Sequence, residues 1–182
     1  MNFLKHLNIL YISLSGNTTN FVERLTQHLS AFDVHVHAIN VKATPDPKPL
    51  DAPFVSFLPA FLKGGNGVNN GYTEILTGIL GDYLAYADNY RRCVGIIGSG
   101  NRNFNKQFAL TAKQYAKRFG FPYLTEFELR GSDNDIQRIG ARLLPYAQPT
   151  VAPRSSTINP ERNRTGLRRS VTCAVDEANL FA

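Results

Sequence analysis

Short apolar runs alternate along this chain with stretches whose apolar residues recur every three or four positions. Leu7-Asn-Ile-Leu-Tyr-Ile12 is apolar and short enough for a buried strand. A polar turn, Ser13-Leu-Ser-Gly-Asn-Thr-Thr19, follows it. Phe21, Val22, Leu25 and Leu29 then mark one face of a helix, with Asn20 and Glu23, or Thr19 one step earlier, in the spacing of a capping box. Asp33 to Val41 sets Val34, Val36 and Ala38 against His35, His37 and Asn40, the alternation of a half-exposed strand. Pro45, Pro47, Pro49 and Pro53 stiffen the next connection and keep it non-helical.

Phe54 to Leu58 predicts a third strand, and residues 62–71 a loop dense in glycine and asparagine. A helix is expected from Tyr72 to Asn89, with Ile75, Leu76, Ile79, Tyr83 and Leu84 on one side. Val94 to Ile97 predicts a fourth strand, broken by Gly98-Ser-Gly-Asn-Arg-Asn103. The next helix places Phe104, Phe108, Ala112, Tyr115 and Phe119 on one stripe, and Tyr123 to Leu129 is the fifth strand. Ser132 caps a last helix that carries Asp133 and Asp135 in its first turn and Arg138 and Arg142 later.

Strands that alternate with helices imply an α/β fold: a doubly wound five-stranded parallel sheet with helices on both faces. At this size the expected strand order is 2-1-3-4-5, with the ligand beyond the strands' carboxyl ends, where strands 1 and 3 diverge. Polar or glycine-rich loops follow strands 1, 3 and 4, the three that meet at that point. The domain is expected to span residues 1–148. From 149 to 182 the chain is rich in arginine, serine, threonine and asparagine without apolar periodicity, so a basic, disordered tail is expected there.

Composition narrows the functional classes. The net charge of +6 is spread along the chain rather than gathered beside stacking aromatics, so nucleic acid is not an expected partner. Cys93 and Cys173 make no disulfide framework, and Cys93 lies in an apolar run that favours a buried, inert thiol. Lys5, His6 and Asn8 interrupt any signal-peptide core, and no apolar stretch is long enough to span a bilayer. A cytoplasmic protein is expected.

The first loop offers Ser13, Ser15, Asn17, Thr18 and Thr19 at a helix N-terminus. Such a turn holds a phosphate with neutral donors and the helix dipole, or serves only as capping chemistry. No Gly-Lys-Ser/Thr follows, so nucleotide hydrolysis has no support. Gly98-Ser-Gly lacks the third glycine of a dinucleotide fingerprint, but its small and amide residues can set backbone donors against a planar ring. Phe61 and Phe104 are candidates to stack on such a ring, Phe104 being equally suited to the core stripe. Arg102 can face ligand, partner or solvent. His35 and His37 share a strand face but lack neighbours to complete a metal set.

Tyr11-Ile-Ser-Leu-Ser-Gly-Asn-Thr18, Gly64-Gly-Asn-Gly67, Gly98-Ser-Gly-Asn-Arg-Asn-Phe104 and Phe127-Glu-Leu-Arg-Gly131 together resemble the NrdI family, most of all its streptococcal members. NrdI proteins are flavodoxin-like FMN partners of class Ib ribonucleotide reductase. The resemblance implies FMN phosphate on Ser13, Ser15, Gly16, Asn17 and Thr18. It further implies Gly64, Gly65, Asn66 and Gly67 along the flavin N5 side, and Ser99, Gly100, Asn101, Asn103 and Phe104 along the pyrimidine side. A flavin reductant would supply electrons, and the reduced flavin would turn oxygen into an oxidant for the dimanganese site of the reductase's small, radical-bearing subunit. The metal would be the partner's. The chain departs from the family pattern in two ways: the loop after strand 3, which includes Leu62 and Lys63, is longer than in many members, and Asn105 stands where many members have glycine. A general flavodoxin-type electron carrier is the alternative, though such proteins are usually acidic and this chain is basic. A flavin-free partner-binding module is a further one.

Overall fold

The computed structural model describes residues 4–64 and 73–149. β1 (Lys5–Tyr11) leads to α1 (Asn17–Ser30), β2 (Val34–Asn40) and β3 (Phe54–Pro59). Two short strands follow, β4 (Leu62–Lys63) and β5 (Thr73–Glu74), then α2 (Gly78–Ala85) and a 3-10 stretch over Tyr86–Arg92. β6 (Cys93–Gly100), a second 3-10 stretch (Arg102–Gln107) and α3 (Leu110–Phe119) come next. β7 (Tyr123–Glu128), α4 (Asp133–Leu143) and β8 (Gln148–Pro149) complete the described chain.

The long strands lie in the order β2-β1-β3-β6-β7, and each neighbouring pair is parallel. Counted along the chain without the two short strands, this is the 2-1-3-4-5 order expected. β3 is buried over its whole length because helices cover both faces of the sheet, which is why it reads as a continuous apolar run. On one face Phe21, Leu25 and Leu29 of α1 pack with Ile136, Ile139 and Leu143 of α4 over Phe57 and Phe127. On the other, Leu80 and Leu84 of α2 and Ala112 and Tyr115 of α3 cover Leu10, Phe54, Leu58 and Ile96. β8 adds antiparallel to the start of β1, Lys5 facing Pro149 and His6 facing Gln148. Ordered structure therefore reaches one residue into the segment expected to be tail. Residues 150–182 lie outside the described chain.

The structure corrects several local expectations. α1 begins at Asn17 with Gly16 as its cap at φ 82, so Asn20 and Glu23 form no capping box and Asn20 is already inside the helix. The helix expected from Tyr72 is confined to Gly78–Ala85. Thr73 and Glu74 pair instead with Lys63 and Leu62, and Leu76 takes φ 64, which leaves Leu76 and Ile79 exposed. Gly98 and Ser99 continue β6 rather than break it. Gly98 does so because α3 crosses there: a Cβ would meet that of Ala109 at 2.7 Å. At α4 the capping box is present as expected, Ser132 and Asp135 bonding each other's backbone N–H.

Candidate functional site

Four chain segments leave the carboxyl ends of the parallel strands side by side. Backbone hydrogen bonds tie them together beyond the strands themselves. The Ala60 N–H donates to the Ser99 carbonyl at 2.8 Å, and the Leu129 N–H donates to the Gly100 carbonyl at 2.9 Å. Between them lies a cavity of about 320 Å³, within the range of small-molecule sites. It sits where β1 connects to β2 on one side while the chain returns through β3 on the other, the switch point of the fold.

Ser15, Asn17 and Thr18 form one wall, at the N-terminus of α1. No side chain caps this helix on its own N-cap residue, and Gly16 supplies the left-handed turn that lets the chain enter it. The Thr19 N–H donates to Ser13 Oγ at 3.2 Å, and the Asn20 N–H to the Gly16 carbonyl at 3.0 Å. The Asn17 and Thr18 amides belong to the first turn, which has no intrahelical acceptor, and both residues line the cavity. Thr18 is 2% exposed.

Phe61 after β3, Ser99 and Gly100 at the end of β6, Asn101 just beyond it, and Phe104 form the rest of the expected wall. Asn101 is fixed by its own turn: its side chain accepts the Asn103 N–H at 2.9 Å. Phe104 belongs to the 3-10 stretch rather than to α3 and is 61% exposed, so it is a rim residue and not part of the helix's core stripe. Phe108, Ala112 and Tyr115 of that stripe are buried as expected.

The expected site residues divide accordingly. Ser15, Asn17, Thr18, Phe61, Ser99, Gly100, Asn101 and Phe104 line the cavity. Ser13, Gly16 and Asn103 shape its turns without lining it, and Gly64 stands one step back, its carbonyl accepting from Gln107. Gly65, Asn66 and Gly67 lie outside the described residues. Leu14, Pro59, Ala60, Leu62, Gln107 and Leu129 complete the wall and were not anticipated. Leu129, although part of the Phe127–Gly131 string, was not read as facing the site; its backbone turns at φ 49 just past β7.

Among the described residues no charged side chain lines this cavity. Arg102 is turned aside: its guanidinium stacks over Phe108 at 4.4 Å and pairs with Glu128 at 3.8 Å. The Cys93 thiol is remote from reactivity, since burial pushes it up to about 12. On β7, burial pushes the Glu126 carboxyl up, but hydrogen bonds from Tyr123 and Lys113 outweigh that and hold it below the usual carboxylate value. Among the described residues no three His, Cys, Asp or Glu side chains gather, and no helix is long and apolar enough to cross a membrane.

Neutral donors at a helix N-terminus, facing apolar and aromatic walls at the switch point of a 2-1-3-4-5 sheet, define a flavodoxin-like protein. The described structure is similar to crystal structures of oxidised flavodoxin 1 and of oxidised flavodoxin 2 from Bacillus cereus. Flavodoxin 1 is 15% identical, with TM-score 0.51, and the match covers 78% of this chain and 98% of that one. Flavodoxin 2 is also 15% identical, with TM-score 0.50, covering 78% and 99%. Residues 9–141 match the family described as NrdI flavodoxin-like, and the chain belongs to that family. It is 53% identical over 138 residues to an NrdI-like protein of Streptococcus pyogenes serotype M1, covering 75% of this chain and 86% of the relative. An NrdI-like protein of Streptococcus pneumoniae is 48% identical over 145 residues, covering 76% and 92%. Protein NrdI of Bartonella tribocorum is 34% identical over 130 residues, covering 71% and 87%.

Proposed function

We propose that the cavity holds FMN and that the reduced protein supplies an oxidant to the small subunit of a class Ib ribonucleotide reductase. The observation that carries this reading is the chemistry of the donor set: uncharged hydroxyls, an amide and free helix-terminal N–H groups on one wall, with aromatic and apolar side chains opposite. That set suits a terminal monophosphate attached to a planar ring. Membership in the NrdI family supports the choice of partner.

In this reading Ser15, Asn17 and Thr18 hold the phosphate, while Ser13 and Gly16 fix the turn that presents them. Asn101 and the Ser99–Gly100 backbone face the pyrimidine edge, Phe61 and Phe104 flank the ring, and the loop beginning at Gly64 borders the N5 edge. Bound FMN supplies electron transfer to oxygen. The chain itself binds and orients the ring, and none of the described side chains along the cavity is charged. The electrons come from a separate flavin reductant, and the reaction is placed in the cytoplasm. Residues 150–182 have no assigned part in it.

The test is tyrosyl radical formation, followed by electron paramagnetic resonance, on mixing the FMN-loaded, reduced protein with the cognate manganese-loaded small subunit and oxygen. Radical that depends on both FMN and oxygen is the expected result. A reducible flavoprotein that yields none is a general electron carrier instead.

A further inference from the structure

The end of β7 runs beside the turn that follows β6, and Glu128 ties the two together. That turn carries two residues of the cavity wall, Asn101 and Phe104. The first N–H groups of a helical stretch have no acceptor within it, and here side chains take two of them. The Asn103 N–H donates to Asn101 Oδ1 at 2.9 Å, a local cap. The Arg102 N–H donates to Glu128 Oε1 at 3.1 Å, across 26 positions of sequence. Next to it the Leu129 N–H donates to the Gly100 carbonyl, so β7 grips the turn at two successive points. The Phe104 N–H in turn donates to the Asn101 carbonyl at 3.1 Å. Phe104 is 61% exposed, so its place depends on the turn more than on packing. The ion pair between the same two side chains is a lesser matter. Arg102 Nε lies 3.8 Å from Glu128 Oε2, with the side chains 59% and 41% exposed, and such exposed pairs contribute little.

We propose that Glu128 is a positioning residue for flavin binding: its carboxylate, by accepting the Arg102 N–H, presets the Asn101–Phe104 turn against the ring. The inference rests on the reading that FMN occupies the cavity with this turn along the pyrimidine side. Glu128 does not line the cavity and acts only through the turn. A wall held in place before the ligand arrives spares the cost of ordering it on binding. The bond that holds it is charge-assisted on the acceptor side, and its donor is backbone, so it survives loss of the arginine side chain.

The bond can be broken from either end. Glu128→Ala deletes the acceptor, whereas Glu128→Gln keeps an acceptor oxygen without the charge. Arg102 opens the 3-10 stretch, and Asn101 before it is extended at φ −108 and ψ 123, the setting that proline accepts. Arg102→Pro therefore deletes the N–H, while Arg102→Ala keeps it and removes only the guanidinium. Fluorescence titration gives the FMN dissociation constant of each full-length variant, and thermal unfolding shows that each is folded at the titration temperature. Glu128→Ala and Arg102→Pro are each expected to weaken FMN binding about 3- to 10-fold, the scale of one net hydrogen bond. Glu128→Gln and Arg102→Ala should stay within about twofold of wild type. The double variant Glu128→Ala/Arg102→Pro should bind no more weakly than either single one, since both remove the same bond. If Glu128→Ala does not fold, Glu128→Gln and the two Arg102 variants carry the comparison. Wild-type affinity in folded Arg102→Pro overturns the proposal, as does Arg102→Ala as weak as Arg102→Pro, Glu128→Gln as weak as Glu128→Ala, or additive losses in the double variant. A wild-type chain that takes up no FMN overturns the site reading itself, and is told apart because it needs no variant.

Discussion

The Tyr115 hydroxyl on α3 donates to the Glu74 carboxylate 2.8 Å away, joining residues 41 positions apart. Thr77 Oγ1 donates to the same carboxylate oxygen, so Glu74 anchors the β4–β5 hairpin to the helical layer. Tyr115→Phe keeps the packing and deletes one donor to a charged acceptor. It is expected to cost about 1–2 kcal/mol in urea denaturation. Unchanged stability would show that Thr77 alone satisfies Glu74.

Asn105 occupies φ 47 and ψ −112, far from the angles that asparagine favours, at the position where many NrdI members have glycine. Its carbonyl accepts the Phe108 N–H at 3.0 Å, a bond that glycine retains. Asn105→Gly relieves the strain and offsets the added freedom of the unfolded chain, for a net gain of about 1 kcal/mol. Thermal unfolding should shift upward by about 3 °C. A lowered midpoint would mean that the asparagine side chain stabilises this turn.

Much of the sheet is legible in the residues, because β1 and β3 are covered on both faces and their apolar runs leave little choice. The Ser132 cap is legible for the opposite reason: its chemistry is entirely local. The failures lie where distant segments decide. Thr73 and Glu74 fit a helical pattern until β4 offers them a partner. Phe104 fits the α3 stripe until Asn105 turns the chain, and Gly98 reads as a loop until α3 needs its missing Cβ. In the site, the serine, asparagine and threonine of the α1 turn announce themselves by type. Gln107 and Leu129 do not, since neither residue type marks its position as facing a cavity.

Buried acidic groups predict how stability responds to alkali. Burial pushes the Cys93 thiol from 9.0 up to about 12. Tyr115 is raised by burial and by its bond to Glu74, and Tyr123 by burial and its bond to Glu126. Each group holds its proton more tightly in the folded chain, so the unfolded chain loses protons first as pH rises. The thiol's contribution is intact below pH 9.0 and is lost as pH climbs toward about 12. Urea midpoints measured across that range should fall, and Cys93→Ala should make the fall shallower. Identical slopes in the two proteins would remove Cys93 from the account.

The pairing of β8 with β1 sets where the chain can be shortened. A chain cut after Thr150 keeps Gln148 and Pro149 opposite His6 and Lys5. It is expected to melt within about 2 °C of the full chain and to bind FMN equally well. A cut after Ala147 removes β8 and should melt several degrees lower. If the longer form also melts far below the full chain, the residues after Thr150 support the domain and the tail reading is wrong.

The central claim is that the cavity takes up FMN, and titration of the flavin-free protein tests it most directly. Quenching of flavin fluorescence should saturate at one FMN per chain, with FAD failing to compete. Ser15 and Thr18 line the cavity at the N-terminus of α1, the end proposed to take the phosphate, so replacing both with alanine should weaken FMN binding by about 1–3 kcal/mol through lost donors to a charged group. Ser13→Ala should act chiefly on stability, by about 1 kcal/mol, since Ser13 bonds the Thr19 N–H and does not line the cavity. A folded wild-type chain that leaves FMN fluorescence unchanged would contradict the account.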